Sequence, residues 1–160
     1  NIHTRAKWDL GFYVGVKKLS PSRETLHLIP QVLSVGIGCK RGTSGEQIKY
    51  AYDAMIKRHR LQEKGIFCFA SIDIKKDEKG LIEFAQSMGH EIKFYSAARL
   101  NEAEGMFTSS DFVKDTTGTD NVCERSAVLA SEGGKIVVKK ESYDGIAIAV
   151  AEKNWGVEFE

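Results

Sequence analysis

From residue 32 onward the chain repeats one unit, a short apolar run rich in β-branched residues followed by a segment of helical periodicity. That alternation restricts the fold more than any other property of the sequence, because it is the pattern of helices packed on a largely parallel sheet. The first unit is the clearest. Val32-Leu33-Ser34-Val35-Gly36-Ile37-Gly38 reads as a buried strand that turns glycine-rich, and Ile48, Ala51, Tyr52, Met55 and Ile56 then recur at i, i+3, i+4, i+7 and i+8 along one helix face. Thr43 and Glu46 have the spacing of a capping box at the start of that helix. Residues 66–72, uncharged on both faces, predict a central second strand, and Leu81, Phe84, Ala85 and Met88 predict a second helix closed by Gly89. Residues 92–95 predict a third strand, 97–104 and 110–113 short helical pieces, and 122–131 a further helix. Residues 135–139 and 145–151 predict a C-terminal strand pair joined by a turn at Tyr143-Asp144-Gly145. The expected domain, residues 32–160, is therefore a three-layer α/β fold on a mainly parallel sheet with a glycine-rich first strand-to-helix loop. Residues 1–31 carry one weak strand, 12–16, and Ile29-Pro30 bars a helix from entering residue 32, so this stretch reads as an appendage or the end of a preceding region.

A chain of 160 residues suits one domain with a core large enough to need neither disulfides nor a structural metal. Its 23 Lys and Arg against 22 Asp and Glu leave a formal charge of +1, so no global field draws it to nucleic acid or to anionic lipid. Any anion site must be local. No apolar run approaches the ~18 residues of a membrane helix, and the first ten residues lack the basic start and apolar stretch of a secretory signal. Cys39, Cys68 and Cys123 are odd in number and widely spaced, which argues against a disulfide framework or a zinc site and for a reducing, cytoplasmic setting.

The strongest local signal is Gly36-Ile37-Gly38-Cys39-Lys40-Arg41-Gly42-Thr43, a strand-to-helix loop with three glycines, two cations and a capping hydroxyl. Free backbone N–H groups and a helix dipole favour a carboxylate or phosphate there; the plainer alternative is a tight turn bearing exposed cations. A dinucleotide fingerprint fits poorly, since Arg41 stands where its third glycine belongs and Asp73 lies about ten residues beyond the expected ribose-binding acid. In an open sheet the ligand crevice lies beyond the carboxyl ends of the strands, and three strand ends deliver Lys40 and Arg41, then Asp73, Lys75 and Lys76, then Ser96 and Arg99. Such a convergence suits a ligand with several carboxylates. Thr117-Gly118-Thr119-Asp120-Asn121-Val122-Cys123-Glu124 brings another glycine turn and helix start to that edge, where Glu124 serves either reciprocal capping with Asn121 or acid–base chemistry. Cys39 beside a helix N-terminus could have a lowered pKa, but neither His59 nor His90 is placed to partner it, and a lone histidine argues for no metal.

Gly36 through Thr43 with Glu46, Ala70-Ser71-Ile72-Asp73-Ile74-Lys75-Lys76-Asp77-Glu78, Phe94-Tyr95 with Leu100, Gly118 through Val122 with Glu124 and Ala127, and Ile136-Val137-Val138-Lys139 follow one another in a familiar order. In these motifs the chain resembles the C-terminal domain of the cobalamin biosynthesis protein G family over about residues 28–152. The resemblance implies the cobalt-precorrin-5A hydrolase of anaerobic vitamin B12 biosynthesis, which opens a lactone ring on a corrin precursor and releases acetaldehyde. It implies a polycarboxylate corrinoid substrate that carries the cobalt, no cofactor of the protein's own, and an N-terminal domain as partner; a homodimer is compatible with it. On that basis Gly36, Gly38, Cys39, Lys40, Arg41, Gly42, Thr43, Lys75 and Gly118 are expected to bind substrate, Asp73 or Glu124 to activate water, and Phe94, Tyr95 and Phe107 to floor the crevice. A non-catalytic module that binds or transfers the corrinoid intermediate is the competing expectation, and a nucleotide-binding domain a third.

Overall fold

The computed structural model describes residues 10–22, 24–108 and 118–158. In chain order the elements are β1 (Leu10–Val14), β2 (Glu24–Leu28), β3 (Leu33–Gly38), α1 (Gly45–His59), β4 (Ile66–Ile72), α2 (Lys79–Ser87), β5 (Glu91–Tyr95), α3 (Ala97–Asn101), α4 (Val122–Ala130), β6 (Lys135–Tyr143) and β7 (Ile146–Glu152). The expected helical piece at 110–113 lies outside the described residues.

Strand β3 is buried on both faces because its alternate residues meet different layers. Leu33, Val35 and Ile37 enter the main core with Ile48, Tyr52 and Met55 of α1 and with Leu81 and Phe84 of α2. Ser34 and Gly36 face α4, where the Ser34 hydroxyl donates to the Ala127 carbonyl at 2.7 Å. Tyr52, Phe69 and Phe84 interlock beneath α1 and α2, their ring centroids 4.9 to 5.9 Å apart in tilted and edge-on arrangements that aromatic quadrupoles favour. With α1 and α2 on one face and α4 on the other, the domain has the three layers the sequence predicts.

The sheet runs β5-β4-β3-β7-β6. Its β3–β4 and β4–β5 pairings are parallel, whereas β3–β7 and β7–β6 are antiparallel, so the sheet is mixed and not mainly parallel. The cause is the C-terminal hairpin. Asp144 and Gly145 both take positive φ (49° and 79°), the conformation of a two-residue turn that folds the next strand straight back, and β7 then slots between β3 and β6. Helix α1 also begins one residue later than its sequence suggests. Ser44, not Thr43, is the cap: its side chain accepts from Gln47 N while the Gln47 side chain accepts from Ser44 N, so the reciprocal pair is Ser44 with Gln47 and not Thr43 with Glu46.

Strands β1 and β2 form a separate parallel pair, with Phe12 opposite Leu26 and Val14 opposite Leu28. The early strand thus spans residues 10–14 and not 12–16. No helix among the described residues is long and apolar enough to cross a membrane.

Candidate functional site

Strands β3 and β4 run parallel and end side by side, and the β6–β7 hairpin closes beside them. Between these ends and the start of α4 lies a crevice of about 530 Å³. Gly38, Cys39, Lys40 and Arg41 enter it from the loop after β3, Ser71, Ile72, Ile74 and Lys75 from the end of β4, Val122 and Cys123 from α4, and Lys140, Ser142, Gly145 and Ala147 from the hairpin. Ile72, Ile74, Val122 and Ala147 make its walls largely apolar, and Lys40, Arg41, Lys75 and Lys140 ring them with four cations. Low-dielectric walls strengthen the pull of such cations on a bound anion.

The glycine-rich loop builds this site differently from a backbone cradle. Gly42, at φ 77°, donates its N–H to Glu78 Oε1 at 2.7 Å, so a buried carboxylate of the same chain already occupies that donor. Thr43 turns inward too, its N–H and hydroxyl both donating to the Lys40 carbonyl at 3.3 and 2.8 Å. The first turn of α1 is capped by Ser44 and Gln47. The loop therefore offers the crevice side chains, not an open helix N-terminus, and neither Gly42 nor Thr43 lines it. Arg41 donates to the Ile74 carbonyl at 3.3 Å, which ties the loop to the exit of β4.

Other expected site residues separate in the same way. Gly36 lies behind α4, where a Cβ would stand 1.7 Å from the Cys123 carbonyl oxygen, so it is a packing glycine and not a ligand contact. Gly118 is exposed near Ala97, with its carbonyl accepting from Asn101, away from the crevice. Ser96 caps α3 and Arg99 pairs with Glu102 outside it, and Lys76 is exposed off its wall. Phe94 and Tyr95 pack against core clusters, and Phe107 lies under the Arg125 guanidinium at 4.5 Å, so the aromatic floor is replaced by the four aliphatic side chains.

Asp73 sits half-buried in the 3₁₀ turn Asp73–Lys75 after β4, between Ile72 and Ile74, which line the crevice, without lining it itself. Its carboxylate has no hydrogen-bond or ion-pair partner among the described residues. Glu124 is buried, and its carboxylate accepts from Thr108 N at 3.0 Å, the Thr108 hydroxyl at 3.1 Å and Lys140 N at 2.7 Å. Its own N–H is capped by the Asn121 side chain at 3.1 Å, but the reverse half of a capping box is missing because the carboxylate is engaged elsewhere. Neither acid stands on the crevice wall.

The thiols are not activated. Burial pushes the Cys39 thiol above its ordinary 9.0, and the opposing charge of Lys75 does not reverse that. Burial likewise pushes Cys123 up to about 12. Cys39 precedes the capped start of α1 by five residues, too far for the helix dipole to lower its pKa. His59 bonds Glu141 at 2.7 Å and His90 packs edge-on against Phe69, both away from the crevice, and the described residues hold no metal-ligating cluster. Reading strand ends in the sequence finds Lys40, Arg41 and Lys75. It misses Lys140 and Ser142, which the pairing of the hairpin with β3 brings to this edge, and Ser71 and Cys123, which enter from the end of β4 and the start of α4.

Fold and site together define a three-layer α/β domain with a cation-ringed, apolar-walled crevice where its parallel strands end. The chain belongs to the family described as Cobalamin synthesis G C-terminus, whose profile matches residues 33–151. It is 34% identical over 122 residues to the cobalt-precorrin-5A hydrolase of Priestia megaterium, an overlap that covers 76% of this chain and 32% of that protein. It is 32% identical over 106 residues to the cobalt-precorrin-5A hydrolase of Salmonella typhimurium, covering 66% of this chain and 30% of that protein. The chain thus spans about a third of the length of these relatives. Among solved structures it matches CobE, a protein from the cobalamin (vitamin B12) biosynthetic pathway, with a TM-score of 0.70 and 33% identity over 78% of this chain and 92% of CobE. The resemblance read from the motifs is borne out.

Proposed function

We propose that this domain acts in the opening of the lactone ring of cobalt-precorrin-5A, holding the substrate by its peripheral carboxylates. The observation that carries this reading is the ring of Lys40, Arg41, Lys75 and Lys140 around an apolar crevice, in a chain of this family. A corrin precursor is an apolar macrocycle edged with acetate and propionate arms. A crevice of about 530 Å³ suits one edge of it, with two or more arms reaching the cations. The cobalt arrives with the substrate, and the protein supplies position and charge.

Water must then add to the lactone carbonyl, breaking the ring C–O bond before carbon–carbon cleavage releases acetaldehyde. Among the described residues Asp73 is the acid best placed to take the proton, because it is unpaired and flanked by Ile72 and Ile74 of the wall. Glu124 is committed to Thr108 and Lys140 and is not available for that step. A cytoplasmic enzyme with an N-terminal partner domain, as the greater length of the relatives suggests, fits this assignment.

A second reading has a specific observation behind it. No carboxylate or histidine among the described residues lines the crevice, which favours a module that binds or transfers the corrinoid while the rest of the longer protein does the chemistry. Incubating this 160-residue chain with cobalt-precorrin-5A without oxygen, and measuring acetaldehyde, separates the two. Release that is lost in Asp73→Asn supports the hydrolase reading with Asp73 as base. Substrate binding without release supports the module. Absence of binding overturns both.

A further inference from the structure

The register of β6 against β7 shifts twice, between Ile136 and Val138 and again between Val138 and Glu141, and the second shift decides where Lys140 points. Val138 pairs with Val150 and Glu141 with Ile148, so three steps along β6 oppose two along β7 and one extra residue is inserted between them. Val138 packs in the core beneath α1, and Glu141 faces the same layer, bonding His59 of α1 at 2.7 Å. Without the second shift residues 138 and 140 would share a face, and Lys140 would point into that core. The first shift turns Val138 from the face of Ile136 into the core, and the second, a bulge between Val138 and Glu141, returns the strand to it, so Lys140 joins Ser142 there and lines the crevice.

A bulge leaves a backbone donor outside the ladder, and here that donor is taken. The Lys140 N–H donates to Glu124 Oε1 at 2.7 Å, while the same carboxylate accepts from Thr108 N and Oγ1 at 3.0 and 3.1 Å. A buried carboxylate would be costly without such donors. It is carried on α4 and tied to the bulge, with Thr108 closing the third side. We infer that Glu124 is a positioning residue: it pins the β6 bulge through the Lys140 N–H and so holds the Lys140 ammonium toward the bound anion. This rests on the reading of the crevice as a polycarboxylate site, and it gives Glu124 a part in binding without any contact with substrate.

Uroporphyrin, an octacarboxylate tetrapyrrole, is the probe, titrated by fluorescence against the wild-type chain, Glu124→Gln, Lys140→Ala and the double variant. Glutamine presents an amide donor where three donors converge, so the bulge loses its anchor while the side-chain volume is kept. Lys140→Ala is expected to weaken binding about tenfold, as for loss of one charged contact. Glu124→Gln should weaken it by a similar factor, and the double variant should be no weaker than Lys140→Ala alone, since both changes act through one side chain. Additive losses, or a Glu124→Gln chain that binds like wild type, overturn the inference. If Glu124→Gln does not fold, Glu124→Asp, one methylene too short to reach both Thr108 and Lys140, goes through the same cycle. Amide exchange read by NMR provides an arm that needs no ligand. If wild type fails to bind uroporphyrin, the polycarboxylate reading falls, and faster exchange confined to Lys140 and Thr108 in the variant still supports the positioning role. Unchanged exchange there overturns it.

Discussion

At the scale of single residues, the crevice divides its wall into groups that carry charge and groups that stay neutral. Cys39 lies beside Lys40 and Lys75, an arrangement that suggests an activated thiolate, yet burial costs the charged form more than the Lys75 ammonium returns. Its thiol is therefore harder to ionise than that of an ordinary cysteine, and the reactive species is scarce at neutral pH. Alkylation by iodoacetamide should be slower at Cys39 than at free cysteine at pH 7.5, rise steeply on going above pH 9, and precede modification of Cys68 and Cys123, which burial pushes up to about 11 and about 12. Lys75→Met should slow it further by removing the one cation that lowers the pKa. Rapid, complete modification of Cys39 at pH 7 would show a thiolate and restore it as a nucleophile. Lys40, Arg41 and Lys75 were legible in the sequence because each lies in the loop that leaves a strand end. Lys140 was not, because its direction depends on two register shifts between Ile136 and Glu141 that no local pattern of those residues announces.

At the scale of elements, two glycines of one strand separate packing from binding. Gly36 faces α4, and a methyl group there would meet the Cys123 backbone oxygen at 1.7 Å, which cannot move without moving the helix. Gly38, two residues on, would place its methyl 3.8 Å from Ala147 Cβ, an ordinary contact, at the crevice wall. Gly36→Ala should thus cost about 3 kcal/mol in urea unfolding, while Gly38→Ala should stay within about 1 kcal/mol of wild type and act on ligand binding instead. Equal stability losses would mean that α4 is not seated on β3 as described. The sequence run shows both glycines identically, since which of them meets α4 follows from the alternation of β3 against a helix about 90 residues away. The same limit explains the mixed sheet. The turn at Asp144-Gly145 was readable from its residues, but the insertion of β7 between β3 and β6 is a long-range choice set by Ile146, Ile148 and Val150 entering the α1-side core. The α1 cap was displaced by one residue for a local reason, since Thr43 spends its hydroxyl on the Lys40 carbonyl and leaves the capping position to Ser44.

At the scale of the whole molecule, a formal charge of +1 gives no field that would gather a polyanion, so the attraction must come from how the fold distributes its charges. Elsewhere several cations face acids: Lys49 meets Asp53, Lys79 Glu83, Arg125 Asp120 and Lys153 Glu132. Around the crevice Lys40, Arg41, Lys75 and Lys140 converge with no acidic side chain among the described lining residues. The two arrangements respond differently to a change of the same size in net charge. Lys75→Glu and Lys57→Glu each remove two units, one at the crevice and one on the exposed last turn of α1. If binding depends on the local cluster, Lys75→Glu weakens uroporphyrin affinity roughly tenfold or more at low salt, whereas Lys57→Glu changes it less than about twofold. The difference should narrow as salt shortens the screening length below the ~8 Å of physiological ionic strength. Equal losses from the two substitutions would mean that the ligand responds to bulk charge, and the crevice would lose its claim to be the site.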